Sequence, residues 1–189
     1  MRISFLLGFV PYSNHTDLEN NLLELHGSST VRNYFTYLWK NDQWKHKCNS
    51  TGKESDILTY AASDKFSSNG VKEGSTVFIV TVIEGELYLG GFIVVAQILN
   101  KSGAAKYLGI PEKDLWKAKE YIVAGKGNET LFECHNLVPS SISHKLEFVN
   151  GSGFVNPVVR QGMIDNQTFR NVRKLYPCSE NLLINQLKP

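Results

Sequence analysis

The residues of this chain best suited to chemistry are rings and ammonium groups rather than nucleophiles. Tyr34, Phe35, Tyr37, Trp39 and Trp44 crowd into one short stretch, interleaved with Lys40, Lys45, His46 and Lys47. Aromatic faces stack on bases and lysines neutralise phosphates, so the mixture suits contact with exposed or flipped bases. Alternation along a strand favours the core for Tyr34, Phe35 and Tyr37. Trp44 stands in a polar stretch with no evident core partner, which makes it the strongest candidate for an accessible stacking surface, with Lys45 and Lys47 beside it as phosphate contacts. Arg170, Arg173 and Lys174, close together before the last helix, form a second candidate phosphate-contacting face, a solvated helix end being the alternative.

Spacings that would support covalent chemistry are missing. Gly125-Lys126-Gly127 lacks the upstream glycine and the Ser/Thr after lysine that a phosphate-cradling loop needs, and no Gly-x-Ser-x-Gly elbow raises a serine above a sheet. The histidines His15, His26, His46, His135 and His144 show no pairing at helical spacing. His46-x-Cys48 and Cys134-His135 offer a loose four-ligand zinc set, against which buried cysteines beside polar histidines is the simpler reading. Glu84, Glu86, Asp165 and Glu180 fall at turns and helix ends, where solvation and capping account for them. No catalytic residue, metal site or cofactor is expected, and hydrolysis of nucleic acids or simple esters is not expected either.

The elements that must position the aromatic cluster are mostly short strands. Val31 to Trp39 reads as a strand and Lys40 to Ser55 as a polar loop carrying Trp44. Asp56 to Ala62 is a short strand, and Ser63 to Asn69 a helical turn closed by Gly70. Thr76 to Ile83, a Glu84-Gly85-Glu86 turn and Leu87 to Leu99 make the clearest signal, a β-hairpin. Its strands are almost continuously apolar, as when both faces are covered, and Gly90-Gly91 marks a bulge. Short helices are expected over Ser102 to Leu108, Pro111 to Lys117 and Pro139 to Lys145, and strands over Glu120 to Ala124, Leu131 to Leu137 and Leu146 to Val149. Asn150 to Gly153 is a turn, and a final helix spans Ser179 to Leu187. Toward the N-terminus the apolar run Ile3 to Val10 reads as a buried strand or helix of the fold, since no small-x-small cleavage site follows it, with a short signal peptide as the alternative, and Asp17 to His26 reads as a helix. This pattern implies an α+β fold, a small partly open β-barrel with flanking short helices.

Composition bounds these readings. The chain has 189 residues with a formal net charge of +2, 42% apolar and 20% charged residues, which suits one globular domain. The charge permits a polyanionic partner without requiring one. Three cysteines at wide separations, Cys48, Cys134 and Cys178, allow no full disulfide framework and point to a reducing, cytoplasmic setting. Six Asn-x-Ser/Thr triplets, at Asn14, Asn49, Asn100, Asn128, Asn150 and Asn166, are then chance products of an Asn-rich chain. No apolar stretch approaches the ~20 residues of a membrane-spanning helix.

The run Asn33-Tyr34-Phe35 through Trp39 and Trp44, then Thr59-Tyr60-Ala61-Ala62-Ser63, then Gly70-Val71-Lys72-Glu73-Gly74 leading into Val77-Phe78-Ile79-Val80, resembles the PUA-like superfamily, especially its EVE branch, related to YTH and ASCH domains. Gly90-Gly91-Phe92 resembles a following small-residue strand, and Arg173-Lys174-Leu175-Tyr176-Pro177 the terminal element. The resemblance covers about Val31 to Leu187, dividing the chain into a lead-in, 1–30, and a PUA-like domain, 31–189. Ser75 departs from the branch's aspartate after glycine, and Lys45 to Ser55 is an insertion.

The resemblance implies a PUA-like barrel that recognises a modified base in DNA or RNA through an aromatic pocket. Trp39, Trp44, Tyr60 and Phe78 would be its cage candidates and Ser63 a hydrogen-bonding candidate for the base edge; Phe78, in an apolar strand, fits the barrel interior better. Such domains are similar to reading modules of modification-dependent restriction systems, in which a nuclease or ATPase would be the partner, or they serve RNA modification. An ASCH-like hydrolase or nuclease is the enzymatic alternative. Its Gly-x-Lys-x-x-Glu-x-Arg pattern begins at Gly70-Val71-Lys72 but meets Ser75 and Val77 where glutamate and arginine belong. A protein-interaction module without nucleic-acid contact is the third reading.

Overall fold

A two-residue turn with left-handed backbone at both positions joins two antiparallel strands in the hand of their natural twist. Glu84 (φ 52°) and Gly85 (φ 80°) supply it, closing the hairpin the sequence marks most strongly. The computed structural model describes residues 33–49 and 57–187. The expectations for Ile3 to Val10 and Asp17 to His26, and the lead-in 1–30 as a whole, lie outside the described residues.

Along the chain run β1 (Tyr34–Leu38), α1 (Asn41–Asn49), β2 (Ile57–Leu58), β3 (Tyr60–Ser63), β4 (Thr76–Ile83), β5 (Glu86–Leu99), α2 (Lys101–Leu108), β6 (Glu120–Ala124) and β7 (Thr130–Leu131). They are followed by α3 (Ser140–Ser143), the hairpin strands β8 (Phe148–Asn150) and β9 (Gly153–Val155), the pair β10 (Val159–Arg160) and β11 (Met163–Ile164), then β12 (Val172–Lys174) and α4 (Ser179–Ile184). The main sheet has the order β12-β1-β4-β5-β6-β3. β1 and β4 are parallel and the other neighbours antiparallel. The sheet curls into a half-barrel within a mixed α+β fold. Across the curl the Tyr37 hydroxyl, from an inner strand, donates to the carbonyl of Ala62 on edge strand β3 at 2.5 Å. Burial pushes the Tyr37 pKa up to about 12, so this hydroxyl keeps its proton.

The hairpin strands are apolar on both sides because both sides are covered. Val77, Ile79, Ile93 and Val95 pack inside the curl with Phe35, Tyr37, Trp39 and Ile122. Phe78, Val80, Val82, Leu87 and Leu89 pack outside it, under Val138, Leu146, Phe148, Phe169, Leu175 and Leu183 of the C-terminal segment. Long β5 bends twice. Ile79 pairs Gly91 and Val80 pairs Leu89, so Gly90 is the bulged residue, and a second shift falls between Val95 and Gln97.

Four expectations need correction. Lys40 to Ser55 is not a loop throughout, since Asn41–Asn49 is helical. A nine-residue helix with one buried side chain, Trp44, has no apolar period to read. Leu131 to Leu137 is not a strand: pairing stops at Leu131, with one isolated bridge from Leu137 to Tyr88. Pro111 to Lys117 forms a single 3-10 turn, Glu112–Asp114, rather than a helix. Cys48 and Cys134, 86 residues apart, are joined as a disulfide with Cα atoms 5.6 Å apart, while Cys178 is free and exposed. Separation along the chain says nothing about proximity once α1 packs against the residues following β7, and with both sulfurs bonded to each other the zinc set of Cys48 and Cys134 has no thiolates to offer.

Candidate functional site

β1 ends at Leu38, but the chain stays on the sheet for one more residue. The Trp39 N–H donates to the Val80 carbonyl at 2.8 Å, which holds the indole at the rim of the curl, tilted against Phe132 at 5.5 Å between ring centroids. Asn41 then opens α1, tied to β4 through the Thr81 hydroxyl at 3.1 Å. α1 brings Gln43, His46 and Lys47 alongside Trp39. Ile57 to Ala62, which spans β2 and β3 and includes Tyr60, and the turn Lys113 to Trp116 supply the rest of the lining. Together they enclose a cavity of about 470 Å³, within the range of small-ligand sites.

The turn Lys113 to Trp116 is pinned from beneath. Tyr121, fully buried, donates its hydroxyl to the Trp116 carbonyl and accepts from the Ala118 N–H at 3.3 Å. Leu115 is buried, so Trp116 must point outward, 40% exposed. Its ring meets the His46 imidazole edge-on at 5.5 Å, which joins this turn to α1. Tyr60 tilts against the same Tyr121 at 6.5 Å. Burial, followed by the neighbouring Tyr121, raises the Tyr60 pKa, against the opposing effect of a hydrogen bond with the Trp116 backbone. Lys47 reaches across to the Ile57 carbonyl at 3.0 Å, linking α1 to β2.

Of the candidates taken from the sequence, the fold brings Trp39, Tyr60 and Lys47 to the cavity. Trp44 is corrected: it is 2% exposed, edge-on to Phe132 at 4.8 Å, with its indole N–H donating to the Cys134 carbonyl at 3.3 Å. It offers no free face. Phe78 is fully buried on the other side of the sheet, beside Tyr34 at 6.4 Å and Phe92 at 6.1 Å. Ser63 lies outside the cavity lining, and its hydroxyl accepts from the Lys65 N–H at 3.2 Å.

Among the basic candidates, Lys45 is exposed on α1. The Arg173 guanidinium covers Phe148 at 4.9 Å and donates to the Thr168 carbonyl at 2.8 Å. Phe148 belongs to the core outside the curl and Trp39 to the core inside it, so Arg173 is on the face away from the cavity and is held by packing. Arg170 is exposed and donates to Gln167 at 3.4 Å, and Lys174 is exposed in edge strand β12.

Trp116, Gln43 and Asp114 were missed as cavity residues. Trp116 carried the same signal as Trp44, a tryptophan in a polar, lysine-flanked stretch. Among the described residues no group of three or more His, Cys, Asp or Glu side chains gathers as a metal site, and no helix is long and apolar enough to cross a membrane. Comparison with family models, with curated proteins and with solved structures finds no match to this chain.

Proposed function

We propose that this chain binds DNA or RNA and takes a modified base into the cavity between Trp39, Tyr60 and Trp116, on a half-barrel of PUA-like type. The observation that carries the reading is the convergence of half-buried Tyr60 and exposed Trp116, far apart in sequence, on one cavity whose lining also includes the largely buried Trp39. A base leaving its stack loses a few kcal/mol, and base–aromatic stacking returns about 1–3 kcal/mol per base. Two aromatic walls therefore suffice to hold an extruded base, and a base already unpaired is held at less cost. Lys113 at the rim and exposed Lys40, Lys45 and Lys117 on the bounding segments supply cations for the flanking phosphates, tempered by Asp42, Glu112 and Asp114. That mixture favours affinity that depends moderately on salt.

The test is a binding titration of oligonucleotides carrying a panel of modified bases against the parent, Trp116→Ala and Tyr60→Ala. Each substitution is expected to weaken the preferred oligonucleotide roughly tenfold, by the stacking estimate, and weaken an unmodified one less. Equal affinity of parent and both variants for every oligonucleotide would remove the cavity from nucleic-acid binding.

A further inference from the structure

The six Asn-x-Ser/Thr triplets are more than the composition delivers by chance. Sixteen asparagines and twenty-five serines and threonines among 189 residues would place about two such triplets at random, against six observed. Five of the asparagines, Asn49, Asn100, Asn128, Asn150 and Asn166, lie among the described residues, and all five are exposed. They sit where a bulky group costs the fold least. Asn49 ends α1 and Asn150 enters the β8–β9 turn. The Asn128 N–H closes a turn on the Gly125 carbonyl at 2.9 Å. Asn100 caps α2 through its oxygen, which accepts from the Gly103 N–H at 2.8 Å, and the Asn166 oxygen accepts from Gln167 at 3.3 Å. In both, the amide oxygen makes the internal bond and Nδ2 is the other arm of the amide. None of the five lines the aromatic cavity.

The disulfide is the independent observation. A Cys48–Cys134 bond belongs to an oxidising compartment, where proteins are also exposed to asparagine-linked glycosylation. We infer that this chain matures in an oxidising secretory compartment and carries N-linked oligosaccharide on these exposed asparagines. The group transferred comes from a lipid diphosphate-linked oligosaccharide. Asparagine Nδ2 attacks its anomeric carbon, a C–N bond forms as the anomeric C–O bond breaks, the amide loses one proton, and the lipid diphosphate departs. This replaces both the chance reading of the triplets and the cytoplasmic expectation. It rests on the triplets and the disulfide and not on the base-binding proposal, and it limits that proposal to nucleic acid met outside the cytoplasm.

The experiment is mass spectrometry of the full chain purified from its native source, before and after peptide-N-glycosidase, with a non-reduced peptide map. A mass above the 21.3 kDa polypeptide that collapses on treatment, with Asn→Asp conversion at one or more of the five positions and a linked Cys48–Cys134 peptide, is expected. In that source, Asn128→Gln and Asn150→Gln should each remove one glycan's increment where the site is occupied. An untreated mass equal to the bare polypeptide, or free thiols at Cys48 and Cys134, would overturn the inference, as would a mass excess that the enzyme leaves in place.

Discussion

Trp44 and Trp116 look alike in sequence and end in opposite environments. Each is followed by a lysine in a largely polar stretch, Gln43-Trp44-Lys45 and Asp114-Leu115-Trp116-Lys117, and neither shows an apolar period. Trp44 is 2% exposed and Trp116 40%. What separates them is the surface each meets. Gly90, bulged in β5, has no side chain, and a Cβ there would run into the Phe132 ring and lie 2.9 Å from the Trp44 ring. The missing atom leaves a pit that Phe132 chiefly fills, with Trp44 packed edge-on to that ring. Trp116 has no such pit, because Leu115 takes the buried place beside it and Tyr121 holds its carbonyl. The Gly90–Phe132 contact thus goes with the burial of Trp44, while Trp116 stays exposed on the turn that lines the cavity.

The sharpest way to break this comparison is Trp44→Ala. Removing a ring packed on Phe132 and Gly90 is expected to destabilise the fold by about 3–5 kcal/mol in chemical denaturation. A loss below about 1 kcal/mol would mean that α1 does not depend on its tryptophan. Next comes the disulfide, which ties the end of α1 to Cys134. Reduction with a dithiol is expected to lower stability by about 2–4 kcal/mol, measured as a shift of the denaturation midpoint, and an unchanged midpoint would show that Trp44 alone secures the helix.

The alkaline limb tests the curl that both tryptophans border. With the Tyr37 pKa raised from 10.0 to about 12 in the fold, the unfolded chain ionises first. Stability is therefore full below pH 10 and falls as pH rises toward 12, by up to about 2–3 kcal/mol. Tyr37→Phe should flatten this slope in pH-dependent unfolding, and an identical slope in the variant would assign the alkaline loss elsewhere. Smallest in stability is Trp116→Ala, expected to stay within about 1 kcal/mol of the parent, as exposed positions usually do. Severe unfolding of this variant would make Trp116 a structural residue and reverse the comparison.

Local pattern was enough for the parts of the fold that depend on nearest neighbours in the chain. The β4–β5 hairpin, the bulge at Gly90, the helix read from Ser102 and found from Lys101 behind an Asn100 cap, and Gly70 closing a helical turn that is shorter than Ser63 to Asn69 follow from strand period and turn chemistry. Trp39 and Tyr60 were cage candidates only through the family resemblance, and the fold places both in the cavity lining. Three things were not legible. α1 is a helix held by one ring and one sulfur, Cys48 and Cys134 meet across 86 residues, and Trp116 rather than Trp44 lines the cavity. All three depend on which surfaces the curled sheet brings together. Burial of a side chain is a property of the partner it meets, and here the partners of Trp44, Phe132 and Cys134, come from a segment remote in the chain, while Tyr121, which holds the Trp116 turn, comes from β6.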